Sequence, residues 1–249
     1  MPLLHNKVAL VTGSASGIGQ STAELFAREG AKVVVFDWNG KGAEEVAAGI
    51  RAAGGAALAS PGDVRSREDI LRALQQAEEA FGPLDILINN AGVYPRHPLI
   101  EMTEEQWDEV VSINLKGVFQ CTRLALPRML ARRSGKIVNI SSVTFHVGMK
   151  GLTHYCSAKG GIIGFTRALA REIGDANVHV NAITPGAVET AGEKAIATQE
   201  QVDAVVALRC LRRRIVPLDL ARVCLFLSSE LSDGMTGQTV NVDGGWVMY

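Results

Sequence analysis

A chain of 249 residues, 47 % of them apolar, can bury one sizeable α/β core and sits near the upper size for a single one. Its 25 Lys and Arg against 26 Asp and Glu leave no basic excess to hold nucleic acid and no acidic solvating block. The opening residues lack an apolar run long enough for a secretion signal, no stretch of about 18 apolar residues suggests a membrane span, and four cysteines show neither CxxC pairing nor ligand spacing; a cytoplasmic protein with reduced thiols and no metal is expected.

Short β-branched runs alternate with longer helical patterns. Strands are predicted at Lys7 to Thr12, Lys32 to Asp37, Ala56 to Ser60, Leu84 to Asn89, Lys136 to Ser141, Val178 to Thr184 and Gln238 to Val242. Helices are predicted at Gly17 to Glu29, Lys41 to Ala53, Ser66 to Phe81, Thr103 to Arg132 and Thr153 to Ile173, with Thr103 as an N-cap and Pro127 distorting its long helix near the end. Continuous apolar strands joined by helical crossovers imply a doubly wound, seven-stranded parallel sheet with helices on both faces, a Rossmann arrangement in one domain. Ala187 to Val216 shows no clear strand and reads as short helices or a mobile lid over a substrate.

Thr12-Gly13-Ser14-Ala15-Ser16-Gly17-Ile18-Gly19 follows the first strand and opens the first helix. Glycines there let backbone approach a pyrophosphate, and the helix start offers unpaired N–H groups to an anion. The strand-before and helix-after context lifts this motif above a chance glycine turn. Asp37 ends the second strand, where a carboxylate can accept both adenosine ribose hydroxyls and would repel a 2′-phosphate; the alternative is a helix-capping aspartate. Neither Ser16 nor Trp38-Asn39 supplies a cation for that phosphate, so NAD is expected rather than NADP.

These motifs, in this order, resemble the short-chain dehydrogenase/reductase family along nearly the whole chain. Asp63-Val64 resembles the family's adenine-contacting pair, and Asn89-Asn90-Ala91-Gly92 its motif after the fourth strand. Asn114 stands where the family has its catalytic Asn. Ser142 with Tyr155-Cys156-Ser157-Ala158-Lys159 matches its Ser…YxxxK signature. Pro185, Gly186, Val188 and Thr190 resemble the segment beside the nicotinamide carboxamide. A looser likeness, in stretches such as NNAGVYP and VDGGWVMY, points to a bacterial subgroup of 1-phenylethanol and pyridoxal 4-dehydrogenases. The resemblance implies a homotetramer, with the helices Thr103 to Arg132 and Thr153 to Ile173 as its dimer surface and the tail Gly245 to Tyr249 packed between subunits or near a neighbouring pocket.

Tyr155 and Lys159 lie four apart and share a helix face. A free tyrosine titrates near ~10, too high for an efficient base at neutral pH, and an ammonium beside it favours the phenolate. Tyr155 is therefore expected to take the alcohol proton as hydride leaves, with Ser142 holding the substrate oxygen. The resemblance adds a ribose contact for Lys159 and a bound water for Asn114. A non-catalytic NAD sensor on the same fold is the competing class; it needs none of these four residues together.

Arg96, His97, His146, Lys150 and His154 fall near the catalytic positions. With Thr144, Ser142 and Tyr155, the candidates Arg96, His146 and Lys150 suggest an anionic or polyhydroxylated alcohol such as a sugar or sugar acid. A solvated rim is the alternative for the charged residues. Tyr94, Phe145, Met149 and Trp246 argue instead for an aryl or alicyclic alcohol. An NADPH-dependent carbonyl reductase of the 3-oxoacyl type is a further alternative, opposed by Asp37.

Overall fold

The computed structural model describes residues 2–194 and 198–248. Seven parallel strands form one sheet in the order β3-β2-β1-β4-β5-β6-β7: β1 (Val8–Thr12), β2 (Lys32–Asp37), β3 (Ala56–Pro61), β4 (Ile86–Asn89), β5 (Gly135–Ile140), β6 (Val178–Pro185) and β7 (Thr239–Val242). The strand order reverses beside β1, so the carboxyl ends of β1 and β4 open a crevice at the switch point.

The strands are apolar at successive positions because both faces of the sheet are covered. In β1, Ala9 and Val11 enter one core with Phe26, Val33 and Val35, while Val8 and Leu10 enter the other with Val34, Phe36 and Leu87. The first core is roofed by α1 (Gly17–Arg28), α2 (Gly40–Ala52) and, late in the chain, α10 (Pro217–Ser228). The second lies under α3 (Arg67–Phe81), α5 (Gly117–Arg132) and α7 (Thr153–Ile173). Phe26 alone, fully buried, contributes about 3–5 kcal/mol by the usual loss on truncation to alanine.

Three departures from the sequence reading bear on the site. The long helix expected from Thr103 to Arg132 is two helices, α4 (Glu104–Val111) and α5, joined by a π-helical turn over Ser112–Lys116. Apolar periodicity does not register one wider turn. Thr103 does cap α4, in a capping box with Gln106. A short helix, α6 (Thr144–Val147), follows β5, and the α10 helix, which begins with Pro217 in its first turn, was not foreseen. The stretch expected as short helices or a lid contains α8 (Ala191–Lys194) and α9 (Gln199–Ala207); residues 195–197 of it, and Tyr249 of the expected packing tail, lie outside the described residues. No described helix is long and apolar enough to cross a membrane.

Candidate active site

A cleft of about 1170 Å³ opens at the carboxyl ends of the strands. One half is formed by the β1–α1 loop. Gly13 and Gly17 have φ of +64° and +58°, which an L side chain rarely adopts. A Cβ on Gly19 would overlap the Gly13 carbonyl oxygen and stand 2.6 Å from Asn90 Nδ2. Gly19 therefore packs behind the loop, while Gly13, Ser16, Gly17 and Ile18 line the cleft. Ser16 precedes α1 in extended conformation and makes no side-chain cap, so the first N–H groups of α1 face outward without a side-chain partner from it.

The loop is held from below. Thr12 Oγ1 accepts the N–H groups of Asn90 and Ala91, each at 3.0 Å. Asn90 Nδ2 donates back to the carbonyls of Thr12 (3.0 Å) and Gly13 (2.9 Å). Asn90, Ala91 and Gly92 line the cleft, but the Asn90 side chain is spent on clamping the glycine loop to the end of β4.

Asp37 is 7 % exposed and lies in the cleft wall. Its Oδ2 accepts from Ala15 N–H and its Oδ1 from Asn39 N–H, both at 2.9 Å. Each oxygen retains a lone pair for a ribose hydroxyl. The helix cap of α2 is not Asp37 but Asn39, whose Oδ1 accepts from Gly42 N–H. Trp38, 83 % exposed, flanks the cleft mouth. Val64 is buried, and Asp63 is held by Arg65, whose guanidinium keeps the Asp63 carboxyl below its usual range. Arg65 is the cation in this half of the wall, and that ion pair occupies it. The turn, the exposed helix start and the available carboxylate fit a dinucleotide.

The other half gathers the expected catalytic residues from β5, α6, α7 and the π turn. Asn114 is buried because the π turn pulls it inward; its Nδ2 donates to the carbonyls of Val93 and Val110, both at 2.9 Å. Its Oδ1 has no hydrogen-bond partner among the described residues, and stands where a Cβ on Gly92 would be 2.6 Å away. Glycine at 92 thus leaves room between Asn114 and Lys159. Lys159 Nζ donates to Ile140 O at 2.8 Å, and Ser141 Oγ donates to Lys159 O at 2.7 Å, pinning α7 to the end of β5. A buried chain from Thr122 to Asn89, Asn139 and Thr166 ties β4 and β5 to α5 and α7. Sequence reading missed it, since no motif marks residues that pair across the sheet.

Ser142 accepts from the N–H and the hydroxyl of Thr144, at 3.2 and 3.0 Å, and shares a hydrogen bond with the Tyr155 hydroxyl. Lys159 Nζ lies 5.5 Å from the Tyr155 ring centre. The electrostatics amend the sequence expectation. Burial first, then Tyr94 and Cys156, raise the Tyr155 phenol above its ordinary value, against the Ser142 hydrogen bond. Burial also lowers Lys159 to about 7. Burial of both groups therefore opposes the phenolate that the sequence led one to expect.

Pro185, Gly186, Val188 and Thr190 line the cleft, with Val188 bridged to Ile215 and the Thr190 side chain hydrogen-bonded to the Tyr94 hydroxyl. Tyr94 stands 5.9 Å from the Tyr155 ring. Of the candidate substrate residues, Thr144, Arg96 and Lys150 line the cleft, but Arg96 Nη1 is bonded to Lys150 O. His146 does not line it. Two residues beyond Thr144 on α6, it turns to the other side and rests its ring 4.8 Å from that of Phe145. His154 is also withdrawn, its Nδ1 accepting from Tyr155 N–H. Met149 and Trp246 do reach the wall, with Arg214, read from the sequence as part of a basic surface run, and with Arg209 and Glu193, which sequence reading did not select.

Comparison with known proteins agrees with this geometry. A family profile described as enoyl-(acyl carrier protein) reductase matches residues 13–247. A 3-oxoacyl-[acyl-carrier-protein] reductase, FabG, of Thermotoga maritima is 38 % identical over 245 residues, 98 % of this chain and 99 % of that protein. A D-xylose 1-dehydrogenase of Caulobacter vibrioides is 37 % identical over 247 residues, covering 98 % and 97 %. The crystal structure of a putative gluconate dehydrogenase from Agrobacterium tumefaciens superposes with a TM-score of 0.94 at 36 % identity, over 98 % of each chain.

Proposed function

The chain belongs to the short-chain dehydrogenase/reductase family of oxidoreductases, and from that premise we propose that it oxidises a secondary alcohol or sugar hydroxyl to the carbonyl or lactone with NAD. The observation that carries the reading is the meeting of Asn114, Ser142, Tyr155 and Lys159 in one wall of the cleft whose other wall is the glycine loop. The dinucleotide, when bound, supplies the hydride acceptor and a positive ring. Ser142, its oxygen already accepting from Thr144, directs its own proton to the substrate oxygen. Tyr155 receives the alcohol proton. Lys159, poised near neutrality, passes a proton onward, and the Asn114 Oδ1 offers an acceptor to a water beside it. Residues 187–194 and 198–216 are proposed as the substrate-covering side, with a tetramer of D2 symmetry as the assembly.

Asp37 supports NAD over NADP. The likeness to a 3-oxoacyl reductase supports a second reading, an NADPH-dependent carbonyl reductase. The likeness to a xylose dehydrogenase and to a putative gluconate dehydrogenase favours a sugar or sugar acid over the aryl alcohols of the subgroup suggested by the tail. Initial rates with NAD and NADP on sugars, aldonates, aryl alcohols and 3-oxoacyl thioesters test the choice. Faster turnover with the phosphorylated cofactor would reject the NAD reading.

A further inference from the structure

One charge in the cleft wall has no part in the chemistry above. Arg209, just after α9, is 2 % exposed and is the largest side chain buried to that degree among the described residues. Its Nη1 donates to Arg213 O at 3.0 Å and its Nη2 to Ala187 O at 2.6 Å, while Nε has no hydrogen-bond partner among the described residues. Carbonyl oxygens satisfy N–H groups but bring no counter-charge. The two carboxylates whose fields reach Arg209 are engaged elsewhere. Glu193 is ion-paired with Arg214, and Asp243 accepts the N–H groups of Gly245, Trp246 and Val247. Arg214 and Arg213 add positive charge beside it. Among the described residues, Arg209 makes no ion pair.

A buried cation without an ion-pair partner is unfavourable, and a guanidinium does not escape by giving up its proton. Such a residue persists when its counter-ion arrives with a ligand. Arg209 lines the cleft together with Ala187, Val188 and Trp246. Arg96 and Lys150 are poorer candidates for this role, because both are solvent-exposed.

We infer that Arg209 is a specificity-determining residue and that the alcohol this enzyme oxidises bears a carboxylate drawn to the Arg209 wall. The inference rests on the dehydrogenase reading and narrows its substrate class. A monoanion suits the site better than a dianion, because one guanidinium is without an ion-pair partner and the Glu193 carboxylate lines the same cleft.

The test uses matched pairs of secondary alcohols, each supplied as the free acid and as its methyl ester or amide: 4-hydroxypentanoate and aldonates with their neutral derivatives. The full chain is assayed with NAD beside R209Q and R209K. The wild type should favour at least one acid over its neutral partner by about tenfold in kcat/KM, the effect of a charge-assisted hydrogen bond. R209Q should erase about tenfold or more of that ratio, and R209K should keep most of it. Equal losses for acid and ester in R209Q would overturn the inference and leave Arg209 as a clasp between Ala187 and Arg213. A wild type that never prefers an acid overturns it too, whether or not R209Q folds. Turnover of the neutral derivatives alone keeps the dehydrogenase reading while sinking this one. Turnover of no alcohol sinks the dehydrogenase reading, and calorimetric titration of acid against ester onto the protein with NADH then decides the carboxylate preference separately.

Discussion

The two halves of the cleft are built by different means. The dinucleotide half is mostly backbone: one loop, two positive-φ glycines, and hydrogen bonds from Thr12, Asn90 and Asp37 that lock it to β4 and β2. The far half is assembled by long side chains from separate segments, with Arg96 bonded to Lys150, Arg214 paired with Glu193, and Arg209 reaching Ala187. A half made of backbone tolerates almost no change of residue. A half made of side chains can alter its charge and shape while the sheet stays as it is, which suits one scaffold to many alcohols.

The sharpest test lies where the halves meet. Tyr155→Phe should lower turnover by about 10²–10⁴-fold, as loss of a general base does, while NADH affinity measured by fluorescence titration stays near the wild-type value. Equal loss of NADH binding would mean that the hydroxyl shapes the dinucleotide half instead. In that half, Gly19→Ala has no room between backbone and Asn90. Overpacking of this kind destabilises by about 1–3 kcal/mol, and both the melting temperature and NADH affinity should fall.

Lys159→Met should remove activity and yet stabilise the fold. Burial depresses the Lys159 pKa to about 7. The unfolded chain therefore binds the proton more tightly, and the stability cost of the lysine is fully present below pH 7 and fades as pH rises toward about 10. The gain in melting temperature of the variant should follow that course, largest in acid and smallest in alkali; a gain that grows with pH would contradict it. Asp37→Ala should reduce the NAD over NADP ratio of kcat/KM by about tenfold, the size of one lost hydrogen bond to a charged group, and lower the melting temperature because Ala15 and Asn39 lose their acceptor. The smallest effect belongs to the far half. Glu193→Gln breaks the half-buried ion pair to Arg214 but leaves an amide in its place, so the melting temperature should fall only modestly while KM for the alcohol changes.

This division also explains what the sequence made legible. Strands buried on both faces announce themselves as apolar runs, and a loop that must be glycine has few alternatives, so all seven strands and the glycine turn were readable before the structure. Tyr155 and Lys159 are readable because, with Ser142 and Asn114, they match the family's signature, and helix spacing puts them on one face. The π turn at Ser112–Lys116, the Asn89–Asn139–Thr166 chain and Arg209 were not. Each depends on which segments meet across the sheet, and a local pattern carries no record of that. His146 misled for the opposite reason: it is near Ser142 along the chain, but α6 turns it aside. Asp37 reads from the sequence as a ribose acceptor or a helix cap, and neither reading includes the brace its carboxylate gives the loop through Ala15.

The wide turn that buries Asn114 has an evolutionary corollary. A π turn holds one residue more than ordinary winding would. Deleting a single codon within 112–116 would let the helix close up without a break, producing a chain that still folds with its sheet intact but whose amide no longer points at the lysine. Such a deletion would be a silent route from enzyme to inert dinucleotide binder, visible to an alignment as nothing more than a one-position gap.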